Sequence, residues 1–273
     1  MKQSKQAALW TLSMATLFGV VGCGGKQDNT IYQTILQEGK IIVGTESGYA
    51  PYEFLDTSGT LQGLDIELVK LIADAIGEAN DTTITVEFRD MEFGGLVGAL
   101  STQQLHMVAA GLNITSERLE KVDFSDIYIE EGMTILLRSN ATDVEESADL
   151  ANLKIGAQLG TTMVELAEGY VESGTGQVTT LSKNVDLVMQ LRTGTLDAVV
   201  LESTVAANFV TNNTDLKIAS YQVAISEDGG FAIAIPKGEP QLKAIINEVI
   251  ETAKADGSIG RLFDAACELA AGE

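Results

Sequence analysis

The segment from Ala110 to Asp126 (AGLNITSERLEKVDFSD) combines a glycine turn, a short helix start and an arginine. It continues the apolar run Leu105–Ala110, which is typical of a buried strand. Thr115 is placed to cap a helix that carries Arg118 three residues further on. A helix start offers backbone N–H donors, and a guanidinium offers a planar pair of donors. The segment fits a carboxylate receptor, although the spacing alone favours an arginine on a solvated first turn. The rest of the chain reverses this preference.

Other residues capable of catalysis do not occur in catalytic patterns. The single histidine, His106, lies within the apolar run, which is typical of a buried or edge-strand histidine. The sequence has no Gly-x-Ser-x-Gly turn and no cysteine and histidine cluster with metal-ligand spacing. Ser173–Gly176 is similar to a phosphate-binding loop, but no lysine follows it, and a plain turn explains it. We therefore expect neither a hydrolase nor a metal or other cofactor.

The N-terminus has the pattern of a lipoprotein signal. Two lysines precede the apolar run Ala7–Val21, and Gly22 and Cys23 follow it. Cleavage before Cys23 would remove residues 1–22 and leave a thiol to carry a lipid. An ordinary signal peptide with an incidental cysteine is the alternative. Residues 23–29, rich in glycine and polar side chains, are expected to form a flexible tether.

The charge of the chain limits its partners. The sequence has a net charge of −22, and the 15 basic and 39 acidic residues after residue 22 leave about −24. Nucleic acid and anionic lipid would be repelled, whereas a cationic ligand is compatible. With Cys23 committed to a lipid, Cys267 has no disulfide partner. No other run approaches the roughly 20 apolar residues of a membrane helix, so we expect a lipid-anchored extracytoplasmic protein.

Strand-like apolar runs alternate with helical runs along the chain, which predicts α/β layers rich in parallel strands. About 250 residues after the signal would suit two lobes of roughly 100 to 150 residues each. The main predicted strands are Lys40–Gly44, Thr83–Phe88, Lys154–Ala157, Val178–Leu181, Asp197–Leu201 and Phe231–Ile235. The main predicted helices are Leu64–Gly77, Phe93–Leu100 and Pro240–Ala255.

Six segments occur in a fixed order along the chain: Val43–Phe54, Gly63–Leu68, Gly111–Asp126, Ile155–Thr162, Asp197–Val200 and Ile235–Gly238. Together they resemble one family, the bacterial solute-binding proteins of family 3, which are polar amino acid receptors of ABC importers. The resemblance runs from about Gly39 to Leu269. The ending Phe263–Cys267 departs from the aromatic-rich ending usual in the family.

The resemblance implies a periplasmic-binding-protein fold of type II, in which two α/β lobes are joined by two crossover strands. Lobe 1 would comprise residues 30–128 plus 230–273, and lobe 2 would comprise residues 132–226. The crossovers would lie near Tyr128–Gly132 and Ser226–Gly230. The ligand would sit in the cleft between the lobes, and closure about these hinges would bury it.

The resemblance also implies how the two ends of an amino acid would be held. Arg118 would bind the α-carboxylate with help from Asn113 and the backbone of Gly111. Thr161 and Thr162, at the start of a lobe 2 helix, would reach the same carboxylate from the other side.

The remaining matched positions would bind the ammonium group and the side chain. Glu202 would pair with the α-ammonium, where the family more often has Asp. Tyr49 and Phe93 would form aromatic walls, and Glu46 would face the end of the ligand side chain across from the neutral Gln158. An ionised Glu46 disfavours acidic ligands and favours basic ones. The complete predicted set is Glu46, Tyr49, Phe93, Ala110, Gly111, Asn113, Arg118, Gln158, Thr161, Thr162 and Glu202.

Together these observations predict the substrate-binding component of an ABC importer for arginine, lysine or ornithine, acting as a monomer with a permease. A glutamine or histidine receptor of the same type is the alternative. An enzyme similar to cyclohexadienyl dehydratase would share the fold and would need a general acid, for which Glu46 or Glu202 could serve. A signalling receptor is a third class, but we expect no output module after the last lobe.

Overall fold

A computed structural model describes residues 30–223 and 229–271. The predicted signal, Cys23 and the tether lie outside these residues. None of the helices in the described ranges combines the length and the apolar character needed to cross a bilayer. In chain order the elements are α1 (Ile31–Glu38), β1 (Lys40–Thr45), β2 (Phe54–Leu55), β3 (Leu61–Gln62), α2 (Leu64–Ala79), β4 (Thr85–Asp90), α3 (Phe93–Ser101), β5 (Met107–Val108), α4 (Ser116–Lys121), β6 (Val122–Ile129), β7 (Met133–Arg138), a 3₁₀ turn (Ser147–Leu150), β8 (Lys154–Gln158), α5 (Thr162–Val171), β9 (Gln177–Leu181), α6 (Asn184–Arg192), β10 (Ala198–Glu202), α7 (Ser203–Asn212), β11 (Leu216–Ile218), β12 (Phe231–Pro236), α8 (Pro240–Ala255) and α9 (Ser258–Ala270).

Two five-stranded sheets organise these elements. The first has the order β4-β1-β5-β12-β6, and the second has the order β11-β7-β10-β8-β9. Helices α1 to α4, α8 and α9 pack on the first sheet or on one another, and α5 to α7 pack on the second. We call these two groups lobe 1 and lobe 2. Each sheet carries apolar clusters of buried side chains, as expected for layered α/β structure.

The strand pairing is more mixed than the alternating pattern predicts. Strand β1 pairs in parallel with β4 and β5, and β8 pairs in parallel with β9 and β10. However, β12 is antiparallel to β5 and β6, and β7 is antiparallel to β10 and β11. The antiparallel pairs involve the strands at which the chain leaves one sheet and enters the other. Local hydrophobic patterns in the sequence do not indicate which strands connect the two sheets or in which direction they pair.

The chain passes from lobe 1 to lobe 2 between β6 and β7, through residues 130–132. Within this connection, the Glu131 carboxylate accepts hydrogen bonds from the Tyr52 hydroxyl of lobe 1 and from the Thr204 hydroxyl at the start of α7 in lobe 2. The Gly132 N–H also donates to it, at 3.0 Å. The second predicted crossover, Ser226–Gly230, begins outside the described residues. Glu131 therefore ties the two lobes together at the first connection.

A buried aspartate fixes the turn after β5. Asp65, on α2, accepts hydrogen bonds from the Tyr128 hydroxyl at 2.6 Å and from the Gly111 N–H at 2.9 Å. Burial raises the pKa of Asp65 to about 6, while these two hydrogen bonds lower it and favour the ionised form. Asp65 thus connects a helix, a strand and a turn in the interior of lobe 1.

We expect Tyr128→Phe to lower the free energy of unfolding by about 1.5–3 kcal/mol at pH 7.5, because it leaves one oxygen of an ionised Asp65 without its donor. Urea unfolding of the ligand-free protein measures the change. The difference should shrink at pH 5, where most Asp65 is protonated. A loss below about 0.5 kcal/mol at pH 7.5 would contradict the role of this hydrogen bond.

Candidate functional site

A small cavity of about 10 Å³ lies between the two lobes, and it is lined from both sides. Lobe 1 supplies the side nearest β1, α3 and β5, and lobe 2 supplies the side nearest β8 and β10. The lining residues are Glu46, Tyr49, Phe93, Ala110, Gly111, Asn113, Gln158, Thr161 and Glu202. Nine of the eleven residues predicted to bind ligand therefore surround one cavity; Arg118 and Thr162 lie outside this lining.

The lining residues lie at the carboxyl ends of strands or at the starts of helices. Glu46 follows β1, and Gln158 and Glu202 are the last residues of β8 and β10. Phe93 is the first residue of α3, and Thr161 precedes the first residue of α5. In α/β sheets, ligands commonly bind beyond the carboxyl ends of the strands. The two sheets present these ends to each other, which explains why residues distant in sequence meet here.

Arg118 sits directly behind the cavity on α4. Its Nη1 donates to the Asn113 carbonyl at 2.7 Å, and its Nη2 donates across the cleft to the Gly160 carbonyl of lobe 2 at 3.0 Å. Its guanidinium carbon lies 5.3 Å from the centre of the Phe93 ring. The residue is 8% exposed, and burial lowers its pKa to about 10, so it remains charged at neutral pH. Its backbone N–H donates to the Thr115 hydroxyl, which confirms the predicted helix cap.

The backbones of the two lobes come close to each other at Gly94 of α3 and Gly160. Gly160 has a φ of +84°, and a Cβ atom placed on it would lie 2.8 Å from the Gly94 Cα. Any larger residue at position 160 would strain the backbone and collide with the opposite lobe. Together with the hydrogen bond from Arg118, this contact shows that the lobes are closed on each other.

Gly111 is a second position where the fold requires glycine. Its φ is +53°, and a Cβ atom would lie 2.9 Å from the Tyr49 ring. Its N–H already donates to Asp65, so this donor is not available to a ligand carboxylate. The predicted help from the Gly111 backbone thus does not extend to its N–H group. Only its other atoms can take part in the lining.

The two threonines of lobe 2 are arranged differently from each other. Thr161 lines the cavity, and both its hydroxyl and its N–H donate to the Gln158 carbonyl, at 2.7 and 3.3 Å. Thr162 begins α5, and its buried hydroxyl has no hydrogen-bond partner among the described residues. The N-terminus of α5 points its positive dipole end toward the region of Arg118 and Gly160. The donors of Thr161 are therefore engaged within lobe 2, whereas the Thr162 hydroxyl has a free hydrogen-bonding capacity.

The opposite wall of the cavity holds a buried acid, Glu202, and a buried phenol, Tyr49, which lie close enough for the phenol to lower the pKa of the acid. Glu202 is 2% exposed, and burial raises its pKa to about 7. One of its oxygens, Oε2, and the Tyr49 hydroxyl are both buried, and neither makes a well-formed hydrogen bond within the described residues. Burial and the nearby Glu202 also raise the pKa of Tyr49. A buried acceptor without a partner calls for an explanation, and a donor group on a ligand would supply one.

Glu46 is bonded across the cleft to lobe 2. Its Oε2 accepts a hydrogen bond from Gln158 Nε2 at 2.7 Å. Glu46 is 4% exposed, and burial raises its pKa to about 7, whereas the hydrogen bond from Gln158 and the charge of Lys183 act to lower it. The carboxylate is thus buried, partly neutralised and close to the cavity. A cation in the cavity would favour its ionised form.

His106 takes no part in the site. It is buried, its Nδ1 accepts a hydrogen bond from the Ile42 N–H at 3.2 Å, and burial lowers its pKa. The prediction of a buried histidine beside a strand is therefore confirmed.

Three residues next to the site were not found from sequence. Asp65 holds the Gly111 turn, and Asn184 and Ser182 hold Gln158 from behind. Each makes its contact with a residue more than 20 positions away, so no local pattern indicates it. Asn184 begins α6, where a polar residue is ordinary.

Two α/β lobes closed on a charged cavity define a hinged ligand-binding protein with the type II periplasmic-binding-protein fold. Residues 41–266 match the family model of bacterial extracellular solute-binding proteins, family 3, and the chain belongs to that family. The arginine-binding extracellular protein ArtP of Bacillus subtilis (strain 168) is 26% identical over 260 residues, covering 94% of this chain and 96% of ArtP.

Solved structures of similar proteins agree with the fold. The amino acid ABC transporter substrate-binding protein AbpA from Streptococcus pneumoniae Canada MDR_19A, bound to L-arginine, has a TM-score of 0.81 and 28% identity, covering 87% of this chain and 98% of AbpA. The ancestral amino acid-binding protein AncCDT-1, a precursor of cyclohexadienyl dehydratase, has a TM-score of 0.77 and 30% identity, covering 86% of this chain and 99% of its own.

Proposed function

We propose that this protein is the extracytoplasmic substrate-binding component of an ABC importer and that its ligand is a basic amino acid: arginine, lysine or ornithine. The observation that carries the proposal is the charge of the interlobe site. One buried guanidinium, Arg118, lies next to the cavity against Phe93 and Asn113, and two buried carboxylates, Glu46 and Glu202, line the cavity itself. With all three ionised, the site has a net charge of −1, which matches the charge of +1 on a basic amino acid.

Each charge of the ligand has a partner of opposite sign in this proposal. Arg118 binds the α-carboxylate, aided by the start of α5, where the Thr162 hydroxyl has no other partner among the described residues. Glu202 and the Tyr49 hydroxyl surround the α-ammonium, and Glu46 pairs with the side-chain cation. Every buried charge is thereby compensated, as burial requires. A neutral glutamine or histidine would leave one carboxylate unpaired or protonated.

Binding and closure, rather than chemistry, are the proposed action. The ligand stabilises the closed arrangement because it contacts both lobes, and the permease subunits recognise that shape. The hinge would comprise residues 130–132 and the second crossover, between lobe 1 at 30–128 plus 230–273 and lobe 2 at 132–226. We also propose that the protein is monomeric and anchored to the membrane by a lipid on Cys23.

The ligands of similar proteins support this assignment. ArtP is named as an arginine-binding protein, and AbpA was solved with L-arginine bound. Calorimetry with the twenty common amino acids and ornithine, after unfolding and refolding to remove carried-over ligand, tests the proposal. We expect the tightest binding for arginine, lysine or ornithine. If glutamine or histidine binds more tightly than the basic amino acids, the ligand assignment is wrong. If no amino acid binds, the proposed function is overturned.

An enzyme on the same fold is the second candidate, because Glu46 and Glu202 have pKa values raised to about 7 by burial and AncCDT-1 is a precursor of a dehydratase. A general acid needs a pKa in this range. However, prephenate carries two carboxylates, and the two acids of the cavity would repel it. We therefore propose that the protein is not an enzyme. Loss of the ring hydroxyl from prephenate or arogenate, followed by absorbance, would contradict this.

We expect a basic amino acid to bind with release of protons near pH 6.5. Burial raises the pKa of Glu46 and Glu202 to about 7, so the ligand-free site holds protons that the ligand's cations displace. Affinity should therefore rise from about pH 5.5 to about pH 7.5 and then level off. Calorimetry in two buffers with different ionisation enthalpies measures the protons released. Glu46→Gln should reduce this number, and proton uptake in the wild type would contradict the expectation.

A further inference from the structure

A second layer of polar side chains supports Gln158 from inside lobe 2. Asn184, the first residue of α6, is 2% exposed, and its Nδ2 donates to Gln158 Oε1 at 2.8 Å. Gln158 Nε2 in turn donates to Glu46 Oε2 at 2.7 Å and to the Ser182 carbonyl at 2.8 Å. A continuous chain of hydrogen bonds therefore runs from α6 through Gln158 to the acid of lobe 1.

These partners allow only one orientation of the Gln158 amide. The Ser182 carbonyl and an ionised Glu46 carboxylate accept hydrogen bonds and cannot donate them, so both need the NH₂ group of the amide. If the amide turned by 180°, its oxygen would face two acceptors and its NH₂ group would face the NH₂ group of Asn184. Asn184 thus adds a third contact that favours the observed orientation.

Asn184 holds this orientation at a cost to its own side chain. Its Oδ1 is buried and has no hydrogen-bond partner among the described residues. An apolar side chain of similar size would remove this unpaired acceptor, so helix formation and packing alone do not explain an asparagine here. The hydrogen bond to Gln158 gives the asparagine a role that a leucine could not fill.

We propose that Asn184 is a positioning residue that makes the cleft selective for a cationic ligand side chain, because it keeps the donors of Gln158 turned toward Glu46. This inference rests on the proposed function and deepens it. With Gln158 in the observed orientation, lobe 2 presents donors and no amide oxygen beside Glu46. The ionised carboxylate is stabilised, and it remains the acceptor for a ligand cation. A turned Gln158 would offer an oxygen to a neutral amide and would repel the carboxylate.

Other charged groups near Glu46 do not depend on Asn184. Lys183 acts to lower the pKa of Glu46, and Asp90 and Glu92 act to raise it. A neutral substitution of Asn184, such as Asn184→Leu, leaves these charges in place and adds none. The pH dependence of ligand binding therefore isolates the contribution of the amide hydrogen bond.

The test compares the full-length wild-type protein with Asn184→Leu, using arginine and glutamine as ligands in calorimetry from pH 5.5 to 8. At pH 7 we expect the affinity for arginine to fall about tenfold and the affinity for glutamine to change less than about threefold. The midpoint of the pH dependence of arginine binding should rise by about half a unit or more, because an unsupported Gln158 stabilises ionised Glu46 less.

Asn184→Asp is the second variant, and it keeps the size of the side chain. A carboxylate at position 184 attracts the NH₂ group of Gln158 and turns its oxygen toward Glu46. We expect a larger loss of arginine affinity and a larger shift of the midpoint than for Asn184→Leu. In a Glu46→Gln background, neither change at position 184 should move the midpoint.

A merely structural role for Asn184 predicts a different result. Asn184→Leu would then weaken arginine and glutamine equally and leave the midpoint unchanged, which would overturn the inference while the proposed function stands. If the wild-type protein binds no basic amino acid, the proposed function fails, and this inference fails with it.

Discussion

Arg118→Ala should reduce the affinity for every amino acid ligand by about 1.5–3 kcal/mol or more, which is roughly a 10- to 150-fold rise in Kd. The reason is that the α-carboxylate is common to all ligands, and the variant leaves it buried without its charged partner. The variant also removes the hydrogen bond from Arg118 to the Gly160 carbonyl, which joins the closed lobes. Calorimetry with arginine, lysine and glutamine measures the loss for each.

Arg192→Ala is the matched control for this prediction. Arg192 is an exposed arginine of lobe 2 that pairs with Asp215 at 2.8 Å on the outer surface. An exposed pair contributes little, so this variant should leave every Kd within about twofold of the wild type. If Arg118→Ala weakened one ligand and spared the others, the assignment of Arg118 to the common carboxylate would be refuted.

Glu46→Gln should weaken lysine and arginine by about 1.5–3 kcal/mol and leave glutamine within about threefold of its wild-type affinity. The substitution removes the charge that faces a side-chain cation but keeps an oxygen that can accept the hydrogen bond from Gln158 Nε2. Loss of one buried negative charge should also make the affinity for the weakened ligands less dependent on pH. Competition between arginine and glutamine gives the selectivity directly.

Glu92→Gln serves as the control, because Glu92 is exposed and acts on Glu46 only through its charge. Solvent screens such a charge, so we expect little change in the affinity for any ligand. An equal loss for basic and neutral ligands in Glu46→Gln would show that Glu46 supports the closed structure and does not select the ligand.

Much of the fold could be predicted from local sequence patterns. The helix predicted at Pro240–Ala255 has the same bounds in the structure, and the strand predicted at Lys40–Gly44 extends by one residue. Both have a regular spacing of apolar residues and clear boundary residues, such as the proline that begins α8. The apolar run Leu105–Ala110 is entirely buried, but only Met107–Val108 pairs as a strand, between β1 and β12.

The supporting contacts around the site could not be predicted in the same way. Asp65 reaches Gly111 across 46 positions, and Glu131 is reached by Thr204 across 73. Such pairs depend on how the two lobes fold and close, and each residue alone has the features of an ordinary surface acid or helix residue. The lining positions were found because the family resemblance supplied their arrangement. The residues that contact the lining residues from behind, such as Asp65, have no feature in the sequence that indicates this role.

The contact between Gly94 and Gly160 bears on the rate at which a bound ligand dissociates. The backbones of the two lobes are in contact there with no side chain between them. We therefore expect no ligand to leave the closed cleft at this position. Release of the ligand would then require the two lobes to open. Dwell time, followed by stopped-flow displacement, should accordingly be similar for ligands of different size whenever opening is the slow step.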